Sequence, residues 1–206
     1  MRYNDFDSVA GYYDWLARLV FGRAIDRSQE AFVKAIPAGA RLVILGGGTG
    51  RILDYLSLNR PDIIVTFVDA SERMLARAKR RQPIPTIEFI HGTEDSLPEG
   101  RFDVAMAPFF LDMFPEEKML TVVEKVSSRL LEGGQWIVAD FVTPNRWWQR
   151  LLLAIMYTFF RRTTNLMSRE LPDWTTVLAN RGWEKKESIR FYTGFIEAAR
   201  FERLPK

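Results

Sequence analysis

The sequence predicts an α/β fold, a mostly parallel sheet covered by helices on both faces and finished by an antiparallel β-hairpin. Three observations carry this. Short β-branched runs alternate with segments of helical spacing. Glycines follow the first apolar run directly, as at a strand-to-helix turn. After the final helical segment, two β-like runs at 183–191 and 194–201 follow each other across a short turn.

The elements follow in order. Residues 41–45 are a short apolar run ending in glycines, a buried strand, and 51–58 set Ile52, Leu53, Leu56 and Leu58 at helical spacing. The β-branched run 63–68 is a strand closing on Asp69. Ser71 is placed to cap a helix over 72–81, with Met74, Leu75 and Ala78 on its apolar face and Pro83 and Pro85 at its end. Residues 86–90 and 102–107 read as the third and fourth strands. Pro115 and two glutamates open a helix to about 131 with Met119, Val122, Val123 and Val126 inward, stopped by Gly133-Gly134. Residues 135–142 are the fifth strand. Beyond Pro144, residues 147–160 are helical in length and unusually apolar and aromatic, and 173–180 form a further helix ending near Gly182. With the hairpin, the strands number seven.

At 206 residues the chain suits one domain with a substantial core. A hydrophobic fraction of 47% and a charged fraction of 27% place it among ordinary globular proteins. The absence of cysteine excludes disulfides and thiolate metal sites, and no metal site is expected. A net charge of +3 is too mild to imply nucleic acid, and Arg73, Arg77, Lys79, Arg80 and Arg81 read as a solvated helix face. The opening residues lack the apolar run of a secretory signal. No stretch reaches the roughly 18 apolar residues of a spanning helix, so a cytoplasmic enzyme is expected.

The chemistry concentrates in Leu45-Gly46-Gly47-Gly48-Thr49-Gly50. Glycines there allow positive φ and let a ligand approach the backbone, while the next helix offers free N–H groups to an anion. Asp69 ends the following strand, 19 positions after Gly50, where an acid reaches the ribose hydroxyls of an adenosine-containing ligand. A dinucleotide fingerprint requires a third glycine at Arg51 or Leu53, and a P-loop requires Gly-Lys-Ser/Thr; both fail. G-x-G-x-G remains, which leaves S-adenosylmethionine among the three ligands considered.

With these residues the sequence resembles the class I, Rossmann-like, S-adenosylmethionine-dependent methyltransferases. Val43-Ile-Leu-Gly-Gly-Gly-Thr-Gly is similar to the first family motif and Thr66-Phe-Val-Asp-Ala-Ser-Glu-Arg-Met-Leu to the second. Phe89-Ile-His-Gly-Thr-Glu-Asp, Phe102-Asp-Val-Ala-Met-Ala-Pro-Phe-Phe and Leu130-Leu-Glu-Gly-Gly-Gln-Trp-Ile-Val-Ala-Asp-Phe are similar to the next three. The resemblance implies a seven-stranded Rossmann-like methyltransferase fold with S-adenosylmethionine as cofactor. It puts Gly46, Gly48 and Gly50 in the glycine turn, the first two beside the methionine and ribose portions. Asp69 would lie on the ribose hydroxyls and Ala70 and Met74 near adenine, with Thr93 and Glu94 on the adenine edge. Pro108 and Phe109 would border the sulfonium. One departure stands out: the family usually has an acid two residues before the first glycine, and here that residue is Ile44. Weaker cofactor binding, a substitute polar group or lost catalysis are its three readings.

Under this resemblance residues 1–206 form a single domain: a helical lid (1–40), a cofactor-binding core (41–142), substrate-side helices (143–182) and a hairpin (183–206). Methyl transfer from a sulfonium needs alignment and exclusion of water, plus a base where the nucleophile carries a proton. Asp112, beyond the fourth strand, and Tyr13, with Tyr12, are the candidates, and the single histidine, His91, reads as structural. Phe6-Asp-Ser-Val-Ala-Gly-Tyr-Tyr-Asp and Leu171-Pro-Asp-Trp are loosely similar to the ubiquinone/menaquinone C-methyltransferase branch. The expected acceptor is a small, hydrophobic or aromatic, lipid-like molecule; an RNA methyltransferase and a non-catalytic cofactor-binding protein are the alternatives. Residues 147–160 read as a membrane-interface contact, a wall of a hydrophobic pocket, or a buried helix with a homodimer contact.

Overall fold

The computed structural model describes residues 11, 13–81, 86–164, 168 and 170–204. Among them β1 (Arg41–Leu45), β2 (Ile64–Asp69), β3 (Ile87–His91), β4 (Phe102–Pro108) and β5 (Leu130–Phe141) are parallel, and β6 (Trp183–Phe191) and β7 (Ile196–Arg203) form the closing hairpin. The sheet order is β3-β2-β1-β4-β5-β7-β6, with β7 inserted antiparallel between β5 and β6. The helices are α1 (Tyr13–Phe21), α2 (Ala24–Glu30), α3 (Arg51–Asn59), α4 (Glu72–Ala78), α5 (Glu116–Ser127), α6 (Trp147–Thr163) and α7 (Trp174–Asn180). No helix among the described residues is long and apolar enough to cross a membrane.

Strand periodicity splits the core in two. In β1, Leu42 and Ile44 face one way and pack with Ile52, Leu53 and Leu56 of α3 and Leu75 and Ala78 of α4. Val43 and Leu45 face the other way and pack with Met119, Val122, Val123 and Val126 of α5 and Trp174, Val177 and Leu178 of α7. Both faces of the parallel strands are therefore covered, which is why their sequences are continuously apolar.

Several boundaries differ from expectation. The α5 helix stops at Ser127 and not near 131, because Leu130 turns into the core and pairs with Phe102 at the start of β5. The Gly133-Gly134 pair then lies inside β5, where the register jumps from Phe102↔Leu130 to Val104↔Gln135. Gly133 has φ +77°, as a bulge residue does. The α4 helix ends at Ala78, and Arg81 folds back to donate to the Thr49 carbonyl at 2.7 Å. Pro83 and Pro85 lie outside the described residues. At the other end of the chain, α6 runs on to Thr163.

Ser127 holds two elements together. Its hydroxyl oxygen accepts the buried indole N–H groups of Trp136 at 3.2 Å and Trp183 at 3.0 Å. Ser127→Ala leaves both donors unsatisfied in a dry core, at about 1–3 kcal/mol each. We expect equilibrium denaturation to show a loss of roughly 2–6 kcal/mol.

Candidate functional site

The strand order reverses between β2-β1 and β4-β5, and a crevice opens there beyond the carboxyl ends of the strands. It holds a cavity of about 130 Å³ bounded by the turns after β1, β2, β3 and β4. Of the residues expected to bind cofactor, Gly46, Gly48, Asp69, Ala70, Met74, Thr93, Glu94, Pro108 and Phe109 all line it. Gly50 does not.

The glycines differ in purpose. Gly46 has φ +62°, and a Cβ there would sit 2.5 Å from the Phe110 ring, so a side chain is excluded. Gly48 has φ +58° and nothing within 4 Å of where a Cβ would be, so its open side faces the cavity. Gly50, at φ +74°, begins α3, and its Cβ would sit 2.8 Å from that of Ala78. It is a helix-packing glycine, and its contribution to the crevice is the close seam between α3 and α4.

Asp69 is buried and ties two turns together. One carboxylate oxygen accepts the Gly48 N–H at 2.7 Å and the other the Ser71 N–H at 2.8 Å. The Ser71 hydroxyl accepts the Met74 N–H at 3.1 Å, capping α4 as expected. Glu94 is buried and meets Lys118 Nζ at 2.5 Å, so its charge on the cavity wall is compensated. His91 is exposed, with Nε2 3.1 Å from the Ala70 carbonyl oxygen. Ile44 packs into the α3 side of the core and is absent from the cavity wall. Polar groups that sequence reasoning did not single out stand at the rim: Gln29 of α2, and Arg51, whose guanidinium meets Asp26 at 2.7 Å.

A second, mainly apolar cavity of about 250 Å³ adjoins the first and shares Ala17, Ile25, Phe109 and Met113 with it. Leu152, Leu153, Met156, Phe159 and Phe160 of α6 form one wall and Phe21 and Phe141 part of another. Phe109, on the partition, has φ +51°, a conformation costly for a bulky residue and one that marks functional turns. Its N–H donates to the Ala139 carbonyl at 2.7 Å, and its ring centroid lies 5.2 Å from that of Phe141.

Two polar side chains line this apolar cavity. Asp112 is one; its carboxyl hydrogen-bonds that of Asp140, which is completely buried. Asp140 accepts the N–H groups of Leu111 at 3.0 Å, Asp112 at 3.2 Å and Phe141 at 2.8 Å. Burial pushes Asp112 up to about 7, and burial together with repulsion from Asp112 also raises Asp140. Three N–H donors favour the negative charge on Asp140, so a proton held by the pair belongs on Asp112. The other is Tyr157, nine-tenths buried, whose hydroxyl faces the Ser168 side chain and makes no other hydrogen bond among the described residues. Burial and the nearby Asp112 charge raise its pKa, so the phenol stays protonated.

Asp112 was legible in the sequence; Asp140 and Tyr157 were not singled out. An acid at the carboxyl end of a parallel strand was the available signal for Asp140. Tyr13 begins α1, but its side chain, like all of Tyr12, lies outside the described residues. Among the described residues no group of three or more acids and histidines is arranged to hold a metal.

Known proteins agree with this architecture. The sequence pattern of the methyltransferase domain matches residues 43–134. A demethylmenaquinone methyltransferase of Thermus thermophilus is 31% identical over 146 residues, covering 68% of this chain and 65% of that protein. A carboxy-S-adenosyl-L-methionine synthase of Campylobacter concisus is 27% identical over 139 residues, covering 65% of this chain and 59% of that protein. The chain thus spans about three fifths to two thirds of these relatives' lengths. Among solved structures, DhpI in complex with SAH superposes with a TM-score of 0.74 at 19% identity, over 98% of this chain and 94% of that one, a likeness of fold. By its methyltransferase-domain pattern, its relatives and its fold, the chain resembles the class I, Rossmann-like, S-adenosylmethionine-dependent methyltransferases and bears a looser likeness to their menaquinone branch.

Proposed function

We propose that the protein transfers a methyl group from S-adenosylmethionine to a small, hydrophobic or aromatic acceptor seated in the Asp112 cavity. The observation that carries this reading is the shared wall. A crevice suited to the donor and an apolar chamber with one titratable pair meet at Phe109 and Met113. A demethylmenaquinone methyltransferase among the relatives supports a lipid-like acceptor.

The residues fit the donor. The open side of Gly48 leaves room for it, and Asp69 offers oxygens to the ribose hydroxyls beside Met74 and Ala70. Arg51, at the N-terminus of α3, suits the methionine carboxylate. With Gln29 and Asp26 it supplies polar groups that Ile44 cannot. When bound, S-adenosylmethionine supplies an electrophilic methyl group on a sulfonium. Pro108 and Phe109 border that position, and α1 and α2 cover the crevice and exclude water. Asp112 takes the proton from the acceptor's O–H, N–H or C–H as the new bond to carbon forms, and Asp140 orients it. The Tyr157 hydroxyl donates to a polar atom of the acceptor.

The test is incubation with methyl-labelled S-adenosylmethionine and cell extract separated into lipid, small-molecule and RNA fractions. Label in the lipid or small-molecule fraction is expected. Label confined to RNA overturns the acceptor class, and alteration of the donor alone, as the name of the Campylobacter relative implies for that protein, overturns methyl transfer. Cofactor binding without any product would leave a binding protein.

As a check on the acceptor chamber, Tyr157→Phe is expected to raise KM for the acceptor by about 5- to 15-fold, the worth of one hydrogen bond to a neutral group. Cofactor affinity should not change. An unaltered KM removes Tyr157 from acceptor recognition.

A further inference from the structure

Much of the outer face of α6 is exposed among the described residues. The inner face of this helix lines the second cavity, yet Trp147 is 77% exposed and Leu151 55%, and Ile155, which borders the rim of that cavity, is still 58% exposed, at positions that fall on one stripe. A helix apolar on both sides is normally buried on both, so the outer stripe is unexplained by the packing of the described residues. Arginines surround the stripe: Arg146, Arg150, Arg161 and Arg162 are all exposed. None of the four makes an ion pair among the described residues. From residue 141 to residue 169 the sequence contains five arginines and no aspartate or glutamate.

We propose that this face of α6 is a docking surface for an anionic lipid bilayer, on which the helix lies in the interfacial plane. Charge decides the occupant. A second copy packed about a twofold axis would set this basic face against itself, with no acid on the segment to offset the arginines. A negatively charged lipid surface instead receives the arginines at the headgroups and the Trp147, Leu151 and Ile155 side chains at the acyl boundary. At 17 residues, about 25 Å, the helix is suited to lying flat. Trp147 and the arginine stems are suited to that interface as well, each with an apolar body and a polar end. On the functional reading above, on which only this last step rests, a lipid-like acceptor would pass from the bilayer into the cavity behind α6 without crossing bulk water.

The experiment is flotation of the whole protein with vesicles of phosphatidylcholine alone and of phosphatidylcholine with about one third phosphatidylglycerol, without cofactor or acceptor. Binding to the anionic vesicles and little to the neutral ones is expected, weakening as salt shortens the Debye length from about 10 Å to about 3 Å. Each arginine near such a surface strengthens partition by about fivefold, so Arg150→Gln with Arg162→Gln should lower it by about 25-fold. Leu151→Ser should weaken binding to the anionic vesicles. Both variants touch neither the Asp69 crevice nor Asp112, so unchanged circular dichroism and S-adenosylhomocysteine affinity certify the fold. Absence of binding to either vesicle overturns the proposal. So does equal binding to both, or a stable dimer in sedimentation velocity that Leu151→Ser dissociates. Because the readout involves no turnover, lipid binding with no methyl transfer would sink the functional reading and leave the docking surface standing.

Discussion

Replacing Asp112 with asparagine is expected to lower kcat by roughly 100- to 10,000-fold while leaving S-adenosylhomocysteine affinity within about twofold. The amide cannot take a proton, and Asp112 lines the apolar cavity and not the cofactor crevice. The wild-type kcat should rise with pH through an apparent value of about 7, because the base must be ionised to act. That limb belongs to the Asp112–Asp140 pair and not to one carboxyl alone. Stability runs the other way. The folded-state pKa of Asp112 lies above the unfolded value, so the native state holds its proton longer, and stability falls as pH rises from about 4 to about 7. Asp112→Asn removes the Asp112 share of that loss and the repulsion that raises Asp140, leaving only the burial of Asp140. Its Tm should exceed that of the parent at pH 8, and the difference should shrink as pH falls through this window. A variant that gains stability at alkaline pH while losing turnover would carry the signature of a strained functional carboxyl. Unchanged kcat across the pH range would remove Asp112 from the chemistry.

The contrast between Asp69 and Asp140 shows what could be read beforehand. Both end a parallel strand. Asp69 follows a glycine turn at a distance that strand and helix lengths impose, so its place in the crevice was readable from spacing alone. Asp140 ends an equally apolar run, but its partner Asp112 comes from another strand's loop, and that pairing depends on β4 and β5 being neighbours in register. Tyr157 was less legible still, one ring in a helix full of apolar side chains, distinguished only by which side of α6 meets the cavity. Gly50 matched the expected spacing, and its packing against Ala78 could be seen only once α3 and α4 were side by side. The Gly133-Gly134 pair was read as a helix stop because glycine serves helix ends and bulges equally well, and the register of β4 against β5 decided between them.

Asp69→Ala is expected to weaken S-adenosylmethionine binding by about 10- to 100-fold, the cost of removing a charged hydrogen-bond acceptor. The structure adds a second consequence. The same carboxylate accepts the N–H groups of Gly48 and Ser71, so alanine also releases the glycine turn and the cap of α4. Each orphaned donor costs about 1–3 kcal/mol, so Tm should fall together with affinity. Asp69→Asn separates the two roles. Its single carbonyl oxygen can still serve one of the two N–H donors, so it should recover part of the lost stability, but it presents no anion to the ribose hydroxyls. Titration calorimetry well below both transition temperatures then decides. If the asparagine variant is nearly as stable as the parent yet binds at least about tenfold more weakly, Asp69 acts on the ligand directly. If its affinity recovers in step with its stability, Asp69 acts by holding the Gly48 turn in place, and the ribose contact must be sought elsewhere in the crevice.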